Sequence, residues 1–124
     1  MASEQVTALG KSRALELTFG HFKYLALGTG NNPDYTEAST GLVSETTASG
    51  YYRVELDNTF VSKKVTSEAV IYAENIDAET VITELGIVDS STPGAGTFFS
   101  LAAIPDMTKT GDIQFKFTIV TTVD

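Results

Sequence analysis

From Ile113 the chain alternates without a break. Ile113, Phe115, Phe117, Ile119, Thr121 and Val123 fall on one side, and Gln114, Lys116, Thr118, Val120 and Thr122 on the other. Successive side chains on a strand point to opposite faces, so this period of two predicts a strand with one buried face. The run stops one residue before the chain does, which is expected to tie the C-terminus into a sheet.

Other segments repeat the pattern. Tyr52, Val54 and Leu56 alternate with Arg53, Glu55 and Asp57, and Val65 to Glu74 sets Ala69, Ile71 and Ala73 against Val70, Tyr72 and Glu74. Thr80 to Val88 is rich in Val, Ile and Thr and apolar on both sides except at Glu84, as expected of a strand buried on both faces. Thr97 to Ile104 carries Phe99, Leu101 and Ala103 opposite Phe98, Ser100 and Ile104. Turn residues separate these runs at Asp57-Asn58, at Glu74 to Ala78, at Asp89 to Gly96, at Pro105-Asp106 and at Thr110 to Asp112. Short strands at this spacing predict a mostly β fold, a β-sandwich or barrel-like sheet.

The N-terminal third is expected to add one or two short helices. Ser3 can cap a short helix through Val6 and Leu9 that Gly10 weakens; the favoured reading is a short helix before Lys11 and a strand over Phe22 to Leu27. Leu15, Leu17 and Phe19 also alternate, so a hairpin turning at Gly20-His21 is the competing reading. Thr36 to Glu45 is a candidate for a further helical turn. With 124 residues and no internal repeat or linker, residues 1–124 are expected to form a single domain with a core of its own.

Charge narrows the partners. Eight basic residues against sixteen acidic ones leave a net charge of -8, which repels phosphate backbones and anionic lipid surfaces. Lys63-Lys64 is the only adjacent basic pair and reads as a solvated turn. Neither nucleic acid nor a membrane is therefore expected as a partner. No apolar run approaches the roughly 20 residues of a membrane span. The opening Met1 to Gln5 is polar and does not read as a secretory signal. The absence of cysteine excludes disulfides, thiolate metal sites and cysteine nucleophiles.

Few residues suggest chemistry. The one histidine, His21, lies in a turn with no nucleophile motif nearby. Gly28-Thr29-Gly30 lacks the third glycine and the helix of a dinucleotide fingerprint, and reads as a tight exit from a strand. Asn31, Asn32 and Asp34 lack the spacing of a calcium loop. Glu84, inside an apolar strand, must be paired or hydrogen-bonded, to a loop amide or to Arg53 or Lys23. Glu45 and Glu84 would form a catalytic pair only if close together with one pKa raised. No catalytic, cofactor or metal residue is assigned, and the chain is not expected to be an enzyme.

The order of motifs resembles the N-terminal module of bacteriophage tail-fibre and tail-collar proteins. Thr7-Ala8-Leu9-Gly10 matches its opening T-x-x-G, and Tyr24 to Gly30 matches its "alGtG" turn. Pro33 and Leu42-Val43-Ser44-Glu45 follow in the places of a loop proline and an L-x-x-E. Ile82 to Asp89 matches I-x-E-L-G-L-y-D, and Gly96 to Ala102 precedes a final strand as "gtLfavA" does. Two features depart from the pattern. The family's longer alanine-rich helix is replaced by a short, strand-like Ala14 to Phe19, and the chain stops where the module stops, without a fibre shaft.

That second departure gives the expectation its form. A small β-rich protein without a shaft is similar to capsid decoration (cement) proteins, which implies a virion protein made in the host cytoplasm and carried on the head exterior. The implied partner is the major capsid protein, bound by a homo-oligomer, with a trimer favoured. A tail, baseplate or fibre-attachment protein is the alternative, and a receptor- or carbohydrate-binding module using Tyr35, Tyr51, Tyr52 and Tyr72 the next. Loops on a rigid sheet carry binding. The expected contact residues are therefore Gly30, Asn31, Asn32 and Asp34 in one loop, Ser90, Ser91, Thr92 and Pro93 in another, and the first residues from Met1.

Overall fold

The computed structural model describes residues 7–31 and 34–122. The chain forms one helix, α1 (Ala8–Phe19), and seven strands: β1 (Tyr24–Gly28), β2 (Val54–Glu55), β3 (Asp57–Val61), β4 (Lys64–Ile71), β5 (Thr80–Val88), β6 (Phe98–Lys109) and β7 (Phe115–Thr122). They make two antiparallel sheets, ordered β2-β1-β5-β6 and β3-β4-β7. Leu25, Leu27, Leu85 and Ile87 of the first sheet share one core with Val65, Ala69, Ile71 and Phe117 of the second, as in a β-sandwich. The chain passes from one sheet to the other at buried Leu56, between β2 and β3.

The C-terminal alternation is realised in β7, where buried Phe117 alternates with exposed Lys116 and Thr118. Val123 lies outside the described residues. In β5, Ile82 and Glu84 to Val88 are all buried, as expected of a strand covered on both faces.

Four local expectations are corrected. The segment Arg13 to Phe19 is neither a hairpin arm nor a strand: α1 runs through it to Phe19. Leu15 and Phe19 are four apart, on one helical face, and both are buried, while Leu17 is 68% exposed. The observed cap is Thr7, whose hydroxyl accepts from the Gly10 amide at 3.0 Å. Ser3 lies outside the described residues. Phe19 meets Phe60 of β3 and Phe99 of β6 edge-on, so the helix packs on both sheets.

Thr36 to Glu45 forms turns rather than a helix, and Glu45 bridges to Gly28. Asp57-Asn58 begins β3; the turn comes at Ser62-Lys63, with Ser62 at φ 57. Pro105-Asp106 does not end a strand. β6 continues to Lys109 because a bulge opposite β5, between the Ile82 and Glu84 pairings, takes up the proline.

Lys109 closes this end of the sheet. It is fully buried, and its ammonium donates to the carbonyls of Ala73, Ile76 and Thr110 at 3.0, 3.1 and 2.6 Å. Burial pulls its pKa down, against the pull of nearby Glu74 and Asp77.

Candidate functional site

Two carboxylates organise the surface loops. Glu84 projects from the middle of β5 and is fully buried. Its Oε2 accepts from the amides of Gly30 and Ser44 at 2.8 and 2.9 Å, and its Oε1 from the amide of Val43 at 2.9 Å. The Tyr35 hydroxyl donates to Oε1 as well. Burial pushes this carboxyl up, but the Tyr35 hydroxyl and the three amides outweigh it and hold it below the usual carboxylate range. The same contact, together with burial, pushes the Tyr35 phenol up to about 12.

The glycines make room for this arrangement. A Cβ on Gly28 would come within 2.6 Å of the Glu84 Cγ, and one on Gly30 within 2.5 Å of its Oε2. Residues 44–46 then run beside β1: the Thr29 amide donates to the Ser44 carbonyl and the Thr46 amide to the Leu27 carbonyl. The Thr83 hydroxyl adds a bond to the Gly30 carbonyl at 2.6 Å. The loop from Thr29 to Glu45 is thereby fastened across the outside of β5.

Glu45 is the second centre. Arg53 grips it with two parallel bonds, Nε to Oε2 at 2.8 Å and Nη2 to Oε1 at 2.7 Å. The guanidinium is wholly buried in this pair. Its Nη1 donates to the carbonyls of Ser90 and Ala95 at 2.8 and 2.7 Å, and the Gly94 amide donates to Glu45 at 2.9 Å. The Tyr51 hydroxyl completes the carboxylate. Burial raises the Glu45 carboxyl, and Arg53, Tyr51 and Gly94 together lower it further than that. One arginine thus joins the 28–46 segment to the 89–96 loop.

The expected contact residues therefore divide. Asn31, Asp34, Ser91, Thr92 and Pro93 are exposed, and Ser90 is half-buried with its carbonyl held by Arg53. Gly30 is buried and its amide is committed to Glu84, so it shapes its loop from inside. Asn32 and the residues from Met1 to Val6 lie outside the described residues. An open groove of about 730 Å³ lies beside the first loop, with Asn31 and Asp34 on one side and Val81, Ala103 and Asp106 on the other.

Glu84 takes loop amides, one of the partners expected for it; Arg53, another, belongs to Glu45. Both carboxyls are lowered, so the pair lacks the raised acid that general acid–base work on two carboxylates requires. Among the described residues no three His, Asp or Glu side chains converge as metal ligands. Of the four tyrosines named for sugar stacking, Tyr35 and Tyr51 spend their hydroxyls on Glu84 and Glu45, and only Tyr52 and Tyr72 are substantially exposed. Sequence reasoning named Tyr35 and Tyr51 only as stacking surfaces, not as donors to Glu84 and Glu45, and missed Lys109. A tyrosine hydroxyl's partner leaves no periodic signal, and a lysine next to a turn reads as solvated.

No protein-family model matches the chain, and no curated protein matches it.

Proposed function

We propose that this protein is a structural component of a bacteriophage particle, a capsid decoration protein that binds the major capsid protein on the outside of the head as a homo-oligomer, favoured as a trimer. The observation that carries the reading is the meeting of three separated motifs at one carboxylate. Glu84 of Ile82-Thr83-Glu84-Leu85-Gly86 fills the space left by Gly28 and Gly30 and receives the amides of Val43 and Ser44. These are the stretches that give the sequence its likeness to the phage module. Their convergence supports treating them as parts of one structural device rather than as scattered short matches. The helix α1 is 12 residues with two alanines, so the departure from the longer alanine-rich helix of that module stands.

The braced loops suit such a role. Ordering a floppy loop at an interface subtracts from affinity. Here Glu84 and the Glu45–Arg53 pair order both loops before any partner arrives, and repetition over a lattice turns a modest contact into avidity. The test is to add the protein to heads that lack it, sediment them, and locate its density in an image reconstruction. Co-sedimentation with heads and density on their outer surface is the expected result. Binding only to tails would overturn the head assignment.

The same Glu84 junction favours a second reading, a tail or fibre-attachment protein, because the motifs it joins are those of tail modules. Recovery with tails and density at the collar or baseplate would establish it instead.

A further inference from the structure

We propose that the corner built by residues 72–77 around Lys109 is a two-state element, which opens as a unit while both sheets stay intact and then presents the Lys109 amine. The chain crosses between the sheets twice at this end, from β4 to β5 through residues 72–79 and from β6 to β7 through residues 110–114. Lys109 ties the crossings together, because its ammonium bonds Ala73 and Ile76 of the first and Thr110 of the second. Asn75, also fully buried, fastens a third segment. Its Oδ1 accepts from the Tyr52 amide at 3.2 Å, and its Nδ2 donates to the Tyr52 carbonyl at 3.1 Å. The Asp77 amide donates to the Ser49 carbonyl at 3.0 Å.

Two costs are concentrated in this corner. Ile76 is fully buried at φ 63, a left-handed backbone that a β-branched residue rarely adopts. Lys109 is held out of water with no ion pair among the described residues, and Glu74 and Asp77 attract it from beyond ion-pair distance. A buried charge without a counter-ion is expensive even when it is hydrogen-bonded. Opening relieves both costs: Ile76 returns to an ordinary backbone and the ammonium is hydrated. Little is given up in exchange, since Ile76 is the one buried apolar side chain among residues 72–79 and the remaining bonds can pass to water. Segments with few buried apolar contacts are those that open below global unfolding. The sheets do not depend on the corner: β4–β7 and β5–β6 pair along their lengths and bury Ile71, Ile82, Leu85 and Ile87.

Amine acylation of the folded protein, read residue by residue by mass spectrometry, gives the test, with exposed Lys64 and Lys116 as references. Lys109 is expected to react more slowly than these two but faster than global unfolding allows, and its rate should rise only weakly with urea. Ile87→Val, a change in the core of the first sheet, should speed hydrogen exchange at the Leu85 amide about threefold or more and leave Lys109 acylation unchanged. Gly50→Ala acts on the corner itself: Gly50 stands at φ 82, and a Cβ there would come within 2.6 Å of the Glu74 carbonyl oxygen. That variant should speed Lys109 acylation about fivefold or more. If it does not fold, the native protein and I87V still decide. Acylation of Lys109 as fast as that of Lys64, acylation that follows global unfolding in urea, an I87V variant that speeds Lys109 as much as Leu85, or a folded G50A variant that leaves Lys109 unchanged overturns the proposal. None of these measurements involves a phage particle, so head binding can fail while they hold.

Discussion

Gly30 and Glu84 compete for one small volume, and the carboxylate has it. The Gly30 amide donates to Oε2 at 2.8 Å, and a Cβ at position 30 would stand 2.5 Å from that same oxygen and from the Cβ of Val43. Gly28 meets the same carboxylate from the end of β1. Gly30→Ala and Gly28→Ala should each cost about 1–3 kcal/mol, the usual penalty for forcing a methyl into a packed site. Gly41→Ala is the control: its Cβ would stand 3.8 Å from the Phe98 ring, an ordinary contact. Urea midpoints check the series, and equal midpoints for all three variants would remove the steric account.

Glu84 should make the protein sensitive to acid. Burial raises its carboxyl, but Tyr35 and the amides of Ser44, Val43 and Gly30 hold it below the ordinary value of 4.5. A carboxyl lowered in the folded state contributes stability that is fully present above its unfolded pKa and is lost as pH falls through the folded one. The loss therefore sets in below about 4.5. Glu84→Gln should cost roughly 2–3 kcal/mol at neutral pH, because a charged acceptor and part of its bonding capacity go together. It should also flatten the dependence of stability on pH below 4.5. Denaturation midpoints across pH for both proteins test this, and parallel curves would show that other carboxyls govern the acid limb.

Arg53 is predicted to tolerate no substitute, lysine included. Its fork spans both oxygens of Glu45 while Nη1 holds the carbonyls of Ser90 and Ala95. Burial works against its charge and Glu45 restores it, so the cation stays. A lysine supplies a point charge without the fork. Arg53→Lys and Glu45→Gln should each cost about 3 kcal/mol or more, as expected when a buried pair loses one partner. The double variant should cost less than their sum, and both should speed hydrogen exchange in the 89–96 loop. Additive costs and an unchanged loop would mean that the pair does not hold the loop.

How much of this was legible in the sequence depended on where the information lay. The alternation around Phe117 and the apolar run around Glu84 are local signals, and both became strands with the expected burial. The need of Glu84 for a partner was equally plain, since a buried charge requires one. Its actual donors, amides from residue 30 and from 43–44, are brought to β5 by a loop whose course no local pattern records. A short N-terminal helix was expected, but its extension through Phe19 was hidden by a coincidence: Leu15, Leu17 and Phe19 alternate, yet Leu15 and Phe19 also have helical spacing, and burial follows the helix. At Pro105 the usual reading of proline as a stop gave way to a bulge, which only the pairing with β5 reveals.

The tyrosines should set the alkaline limit. Tyr35 is pushed up to about 12, first by burial and then by its bond to Glu84. Tyr51 is raised further by burial and by Glu45. A group raised in the folded state contributes stability that is complete below its unfolded pKa, here 10.0, and disappears as pH climbs through the folded value. Stability should therefore fall from about pH 10 upward, and two of the five tyrosines should ionise late in a phenolate absorbance titration. Tyr35→Phe and Tyr51→Phe should each remove one late-ionising group. Each should also free the oxygen it served, Tyr35 on Glu84 and Tyr51 on Glu45, so the first variant weakens the 29–45 loop and the second the grip of Arg53 on 89–96. Limited proteolysis separates the two: cleavage should rise in the 29–45 loop for Y35F and in the 89–96 loop for Y51F. A folded native protein whose tyrosines all titrate together near 10 would mean that neither phenol is bound as described.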